Sequence, residues 1–211
     1  MSETVAFALL CFTSFFSVIN PVGVMPVFMT MTSDLDNAHR RKTAERAVLV
    51  AFVTLMMFAF SGQLLFNFFG ISVDSFRIVG GIIFFMMGYE MLQARLSRVE
   101  IDEESVKKYV EDISITPLGI PMICGPGAIT NAIVLMQDAH SIELKAVLIG
   151  VIIVVCIITL IALIGAGKFV NKLGDTGNKI LMRLMGLIIM VIAVEFFFRG
   201  LKPIVQNILV K

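Results

Sequence analysis

Two clusters of helix-breaking residues carry the chemistry this sequence can offer. They are Asn20-Pro21-Val22-Gly23 followed by Pro26, and Thr116-Pro117-Leu118-Gly119-Ile120-Pro121 followed by Gly125-Pro126-Gly127. Proline removes a backbone donor and glycine loosens a helix, so the carbonyls and amides freed at such places need partners in a lined cavity. The amino end of a half-helix presents partly positive N–H groups that suit a carboxylate, while a carboxyl end and loose carbonyls suit an ammonium group or Na+. A zwitterion satisfies both. Asn20, Thr130 and Asn131 place neutral donors and acceptors beside the breaks, and neither apolar segment contains a charge, which disfavours a substrate of large net charge. Thr13, Ser14 and Ser17 either extend this polar lining or bond to their own helix backbone. The competing reading of both clusters is that Pro and Gly only kink and pack the helices.

A second set of candidates is ionic. Arg77, Glu90, Arg183 and Glu195 lie inside otherwise apolar stretches, where an ionisable group is costly and is either paired or functional. Arg77 and Glu90 are about 20 Å apart along a helix and cannot pair with each other. Two solutions stand side by side. In one, antiparallel helices bring Arg77 to the depth of Glu195 and Arg183 to that of Glu90. In the other, each charge reaches its own interface, with Glu195 and Arg199 at helical i, i+4 spacing. A carboxylate at Glu195 could also carry a coupling proton.

The elements that must hold these residues are membrane helices. The 211 residues are 58% apolar and 16% charged, with mean hydropathy +0.94, a balance that a soluble domain cannot solvate. Uncharged runs at Thr4 to Ser33, Ala47 to Val73, Ile113 to Gln137 and Ala146 to Gly167 exceed the roughly 20 residues needed to cross a bilayer. Ser75 to Ala94 and Ile180 to Leu201 are equally long but charge-interrupted, making six helices. Lys and Arg concentrate in the loops around Arg40, Arg41, Lys42 and Arg46, around Arg95, Arg98, Lys107 and Lys108, and around Lys168, Lys172, Lys179 and Arg183. These loops are cytoplasmic by the positive-inside rule, which places both termini in the periplasm. The first apolar run is too long for a cleaved signal peptide and reads as a permanent span.

The chain divides into residues 1–94, a charged cytoplasmic linker 95–112, and residues 113–211. The linker mixes six acids with four bases and reads as a solvated hinge. The two halves are related. Arg77-Ile-Val-Gly80-Gly-Ile82-Ile83 matches Arg183-Leu-Met-Gly186-Leu-Ile188-Ile189 at an offset of 106, and Pro21 falls on Pro126 at an offset of 105. A second register sets Pro21-Val22-Gly23 on Pro117-Leu118-Gly119. Three helices per half invert the second half, so the fold expected is an all-α membrane protein of two inverted three-helix repeats, the first helix of each repeat broken. Gly80, Gly81 and Gly88 read as close helix packing.

Other chemistries find little support. A net charge of +1 gives no nucleic-acid footprint. Cys11, Cys124 and Cys156 lie singly in apolar runs, and His39 and His140 fall in loops, so disulfide and metal frameworks lack ligands. No G-x-S-x-G, H-E-x-x-H or phosphate-binding glycine loop is present; the expectation is a non-enzyme without a cofactor.

Asn20-Pro-Val-Gly-Val-Met-Pro-Val-Phe28, Ile115-Thr-Pro-Leu-Gly-Ile-Pro-Met-Ile-Cys-Gly-Pro-Gly-Ala-Ile129 and Arg183-Leu-Met-Gly-Leu-Ile-Ile-Met-Val-Ile-Ala-Val194 together resemble the MarC family of six-span bacterial inner-membrane proteins over essentially the whole chain. That family is similar to neutral amino-acid transporters of the LysE-like superfamily. The resemblance implies ion-coupled transport of small neutral amino acids such as glycine or alanine across the inner membrane. The substrate-binding candidates are then Asn20, Pro21, Gly23, Pro26, Gly125, Pro126, Gly127, Thr130 and Asn131. The partners expected are the lipid bilayer, a small neutral amino acid or similar solute, and Na+ or a proton, with a homo-oligomer left open. A passive channel for small neutral solutes and a non-transporting membrane scaffold are the alternatives.

Overall fold

A computed structural model of the chain describes residues 2–33, 35–93 and 103–209. Among them the chain is helical, with no strand. Helix α1 (Glu3–Ile19) is capped by Ser2, whose hydroxyl accepts from the Val5 N–H. Its continuation, α2 (Pro21–Met31), follows after one residue. Then come α3 (Asn37–Phe69), α4 (Val73–Leu92), α5 (Glu103–Ile113), α6 (Pro126–Asp138) and α7 (Ile142–Leu209). Between α5 and α6, Ser114–Ile123 winds irregularly, with Thr116 and Ile120 in extended conformation. The peptide bonds preceding Pro117 and Pro121 are cis.

Five stretches are long and apolar enough to cross a bilayer, and a sixth is added when Lys108–Ile123 and α6 are counted as one span bent by 59°. The long helical run α7 contains two of them, Ile142–Ala166 and Met182–Gln206, and it folds back on itself. At a rise of 1.5 Å per residue a straight run would set Glu143 and Phe196 about 80 Å apart. Yet Glu143 accepts a bond from Thr4 at 3.0 Å, and Phe196 reaches the same spot beside Gly127 as Val18, about 21 Å from Thr4 along α1.

Polar contacts gather at the two ends of the bundle. At one end Thr4 meets Glu143, His140 approaches Glu3 at 3.8 Å, and Gln137 bonds to Gln63. At the other, Tyr109 donates to the Met31 carbonyl at 3.0 Å, Arg46 pairs with Glu111 at 2.9 Å, and Ser114 bonds to the Thr43 and Val110 carbonyls. Arg40 closes the carboxyl end of α2 by donating to the Thr32 carbonyl. Between the ends the core is apolar, built around Phe15, Phe28, Leu55, Leu118 and Ile133.

The linker departs from expectation. Its residues 95–102 lie outside the described residues, Arg95 and Arg98 among them, as do the side chains of Lys107, Lys168, Lys172 and Lys179. Residues 103–112, however, belong to a docked helix and not to a solvated hinge: Val110 and the adjoining Ile113 are buried, and Glu111 and Tyr109 tie α5 to the α2 and α3 ends. An amphipathic pattern with apolar residues at Val106, Val110 and Ile113 gives it a face to bury.

Candidate functional site at the helix breaks

Asn20 makes the first break. Its backbone is left-handed (φ 46°, ψ 68°), a conformation in which Asn is among the few side chains tolerated. That single residue ends α1 and begins α2. Its N–H donates to the Phe16 carbonyl at 3.0 Å, and its Oδ1 accepts from the Gly23 N–H at 3.2 Å, so Asn20 caps both half-helices. Pro21 follows as the first residue of α2, where its missing N–H costs nothing. Gly23 is required by Asn20: a Cβ there would lie 2.4 Å from Asn20 Nδ2.

The second break starts α6 in the same way, at Pro126, but with a different cap. Gly125 supplies no side-chain bond. Ile129 N–H reaches the Gly125 carbonyl at 3.0 Å, while the N–H groups of Gly127 and Ala128 find no acceptor among the described residues. Both residues are buried. Cβ atoms on Gly125 and Gly127 would sit 2.4 Å from the rings of Phe84 and Phe196 respectively, and that on Gly125 also 2.6 Å from the Pro121 carbonyl oxygen. Pro126 rests on Gly80 of α4.

One buried hydroxyl stands apart. Thr13, Thr30, Thr32, Thr43, Thr54 and Thr159 all donate to the carbonyl four residues earlier. Thr130, only 2% exposed, has an Oγ1 with no partner. Thr130 lies three residues after Gly127 and four after Pro126, on the face they share.

Between the breaks lies a hollow of about 40 Å³, room for a few water molecules. Asn20, Gly23, Phe84, Met87, Met122 and Ile189 are among its walls. Its lining is mainly apolar, and Asn20 brings the only side-chain amide to it. Of the nine substrate candidates, Asn20 and Gly23 face this hollow, while Gly125 adjoins it through the shared ring of Phe84. Pro21, Pro126, Gly127 and Thr130 are buried but are not among its walls, Asn131 is half-buried, and Pro26 is buried within α2, its carbonyl accepting from Thr30 at 2.9 Å. Phe84, Phe196 and Met122 escape sequence reasoning because an apolar wall residue looks like any other apolar residue in a membrane span.

The ionic candidates do not form cross-helix pairs among the described residues. Arg77 pairs with Asp74 at 3.0 Å and Glu195 with Arg199 at 3.1 Å, each on its own helix. Glu90 and Arg183 are exposed and make no ion pair among the described residues. The physical reason is the seam between α4 and α7. Gly81 abuts Ala193, Gly88 abuts Gly186, and Gly200 abuts Asp74; a Cβ on any of these glycines would come within 2.5–2.8 Å of a backbone oxygen. That register sets Arg77 level with Phe197 and Glu90 level with Leu184, near the expected depths. The seam is nevertheless too tight for ion pairs, so the charges turn away from it. All three glycines serve the close helix packing expected of them, Gly81 and Gly88 against α7 and Gly80 against Pro126 of α6.

These features define a polytopic α-helical membrane protein whose spans are interrupted around a small internal hollow. The chain belongs to the MarC family of integral membrane proteins, whose profile matches residues 5–205. It is 42% identical over 191 residues to a UPF0056 membrane protein of Pyrococcus abyssi, covering 90% of this chain and 92% of that one. It is 38% identical to YvbG of Bacillus subtilis (90% and 92% covered) and 36% identical to YhcE of Escherichia coli (94% and 93%), both also named UPF0056 membrane proteins. Relatives thus occur in archaea as well as bacteria. No solved structure matches the chain.

Proposed function

We propose that the protein is a secondary carrier of small neutral amino acids, working by alternating access between two inverted three-helix repeats. The observation that carries this reading is the pairing of the breaks. The second half-helices begin at Pro21 and at Pro126, 105 positions apart, and both starts converge on the middle of the α4–α7 seam: Pro126 on Gly80, and Asn20 and Gly23 on Ile189 and Ile192. The seam itself is antiparallel, as two inverted repeats would require of their third helices. Broken helices meeting at mid-depth are the usual architecture of substrate and ion sites in secondary transporters.

In this reading the hollow is a closed state. It admits water but no amino acid, and Phe84 and Phe196, packed on Gly125 and Gly127, must move for a ligand to reach the α6 end. The basic end, with Arg40, Arg41, Lys42 and Arg46, faces the cytoplasm, and the end with Glu3, His140 and Glu143 faces outward, as in an inner-membrane protein with both termini outside. Proteoliposomes holding the purified chain should accumulate labelled glycine or alanine when a Na+ or proton gradient is imposed. Equilibration without accumulation under either gradient would favour a passive channel, and no flux of any small neutral solute would reject both.

A further inference from the structure

The following rests on the carrier reading and assigns one end of its ligand. We propose that Thr130 Oγ1 and the uncapped amino end of α6 form a subsite for a free carboxylate, so that the solutes carried are amino acids with that group intact and not amides or amines of similar size.

Three donors lie on one buried surface. The N–H groups of Gly127 and Ala128 lack acceptors among the described residues, and the Thr130 hydroxyl, one turn further along the same face, is unpartnered and 2% exposed. Helical side chains lean toward the amino end, which carries the hydroxyl over the turn that holds Gly127. Five other helical threonines, and Thr32 at the end of α2, fold their hydroxyls back onto their own backbone; this one does not. The two N–H groups can only donate, so the occupant must accept. The helix amino end adds partial positive charge, and with no Lys or Arg between residues 113 and 137 there is enough for the carboxylate of a zwitterion without calling for a full anion. The α2 end differs, because Asn20 Oδ1 already accepts from Gly23 N–H and so competes with an incoming carboxylate.

Donors without protein partners at membrane depth are costly, so an acceptor bound to them should stabilise the fold. That yields a test separable from transport. Thermal melting of the purified full chain in detergent would be followed with glycine, sodium acetate or glycinamide, for the wild type, Thr130→Val and Thr130→Ser, beside glycine flux for each. The wild type should be stabilised by glycine and by acetate but not by glycinamide. Thr130→Val should melt no lower than the wild type without ligand, and should bind glycine more weakly by a factor on the order of ten; Thr130→Ser should restore it. If glycine flux persists while glycinamide stabilises as well as glycine, or while Thr130→Val binds glycine unchanged, the subsite is wrong and the carrier stands. If neither flux nor any stabilisation occurs, both fall.

Discussion

Asn20 combines two tasks that substitution can separate. Its left-handed backbone is strained for any residue with a Cβ, and its side chain both caps α2 and faces the hollow. Asn20→Gly relieves the backbone and gives up the carboxamide, so the fold should hold to within a few tenths of a kcal/mol while glycine transport weakens. Asn20→Ala keeps the strain and loses the cap, and should cost roughly 1–3 kcal/mol, readable as a lower melting temperature in detergent. Equal transport loss in two stably folded variants would locate the effect in the carboxamide; unaltered transport in Asn20→Gly would remove Asn20 from the site. Much of this was legible in the sequence, since Asn-Pro-x-Gly in an apolar run announces a capped restart of a helix. The partnerless hydroxyl of Thr130 was not legible, because composition cannot tell a threonine bonded to its own backbone from one turned away from it.

At the scale of elements, the α4–α7 seam depends on glycine. A methyl group at Gly88 would lie 2.7 Å from the Gly186 carbonyl oxygen, and one at Gly186 would lie 2.7 Å from the Gly88 oxygen. Backbone cannot yield as a side-chain tip can, so Gly88→Ala and Gly186→Ala should each destabilise by about 1–3 kcal/mol, and the double variant by less than their sum because both push the same two helices apart. Melting curves of the three variants check this. A milder effect is expected at the start of α3, where the His39 N–H, and then the His39 side chain, hold the Asp36 carboxyl below its usual value of 3.8. A carboxyl lowered in the fold contributes fully above its unfolded value and loses that contribution as pH falls through the lower one. The protection of the His39 and Arg40 amides, taken relative to their intrinsic exchange rates, should therefore fall only when the pH drops below about 4, and Asp36→Asn should abolish that dependence. The helices themselves followed from uninterrupted apolar runs. The docking of α5 did not, because a stretch that mixes six acids with four bases reads as solvated until the partners of Val110 and Ile113 are known.

For the molecule as a whole, the likeness at an offset of 106 is the most informative feature of the sequence, and the two segments that share it, around Gly80 and Gly186, lie in helices that pack against each other. Of the two arrangements the sequence left open for the charges, the cross-helix pairs do not form among the described residues while Glu195 and Arg199 do pair at i, i+4, because sequence gives height along a helix and not the direction a side chain takes around it. The sidedness that follows is checkable. In intact cells, a membrane-impermeant thiol reagent should label Ser141→Cys from outside, while His39→Cys should react only after permeabilisation; the reverse pattern would invert the topology. The central claim is that two interrupted helices enclose one alternately exposed site, and counterflow tests it most directly. Proteoliposomes preloaded with unlabelled glycine, placed in a trace of labelled glycine without any ion gradient, should show a transient overshoot of label inside. The overshoot should saturate with external glycine and vanish when the internal pool is omitted. Label that rises monotonically to equilibrium at a rate indifferent to the internal pool would mean a continuous pore, and would contradict the account.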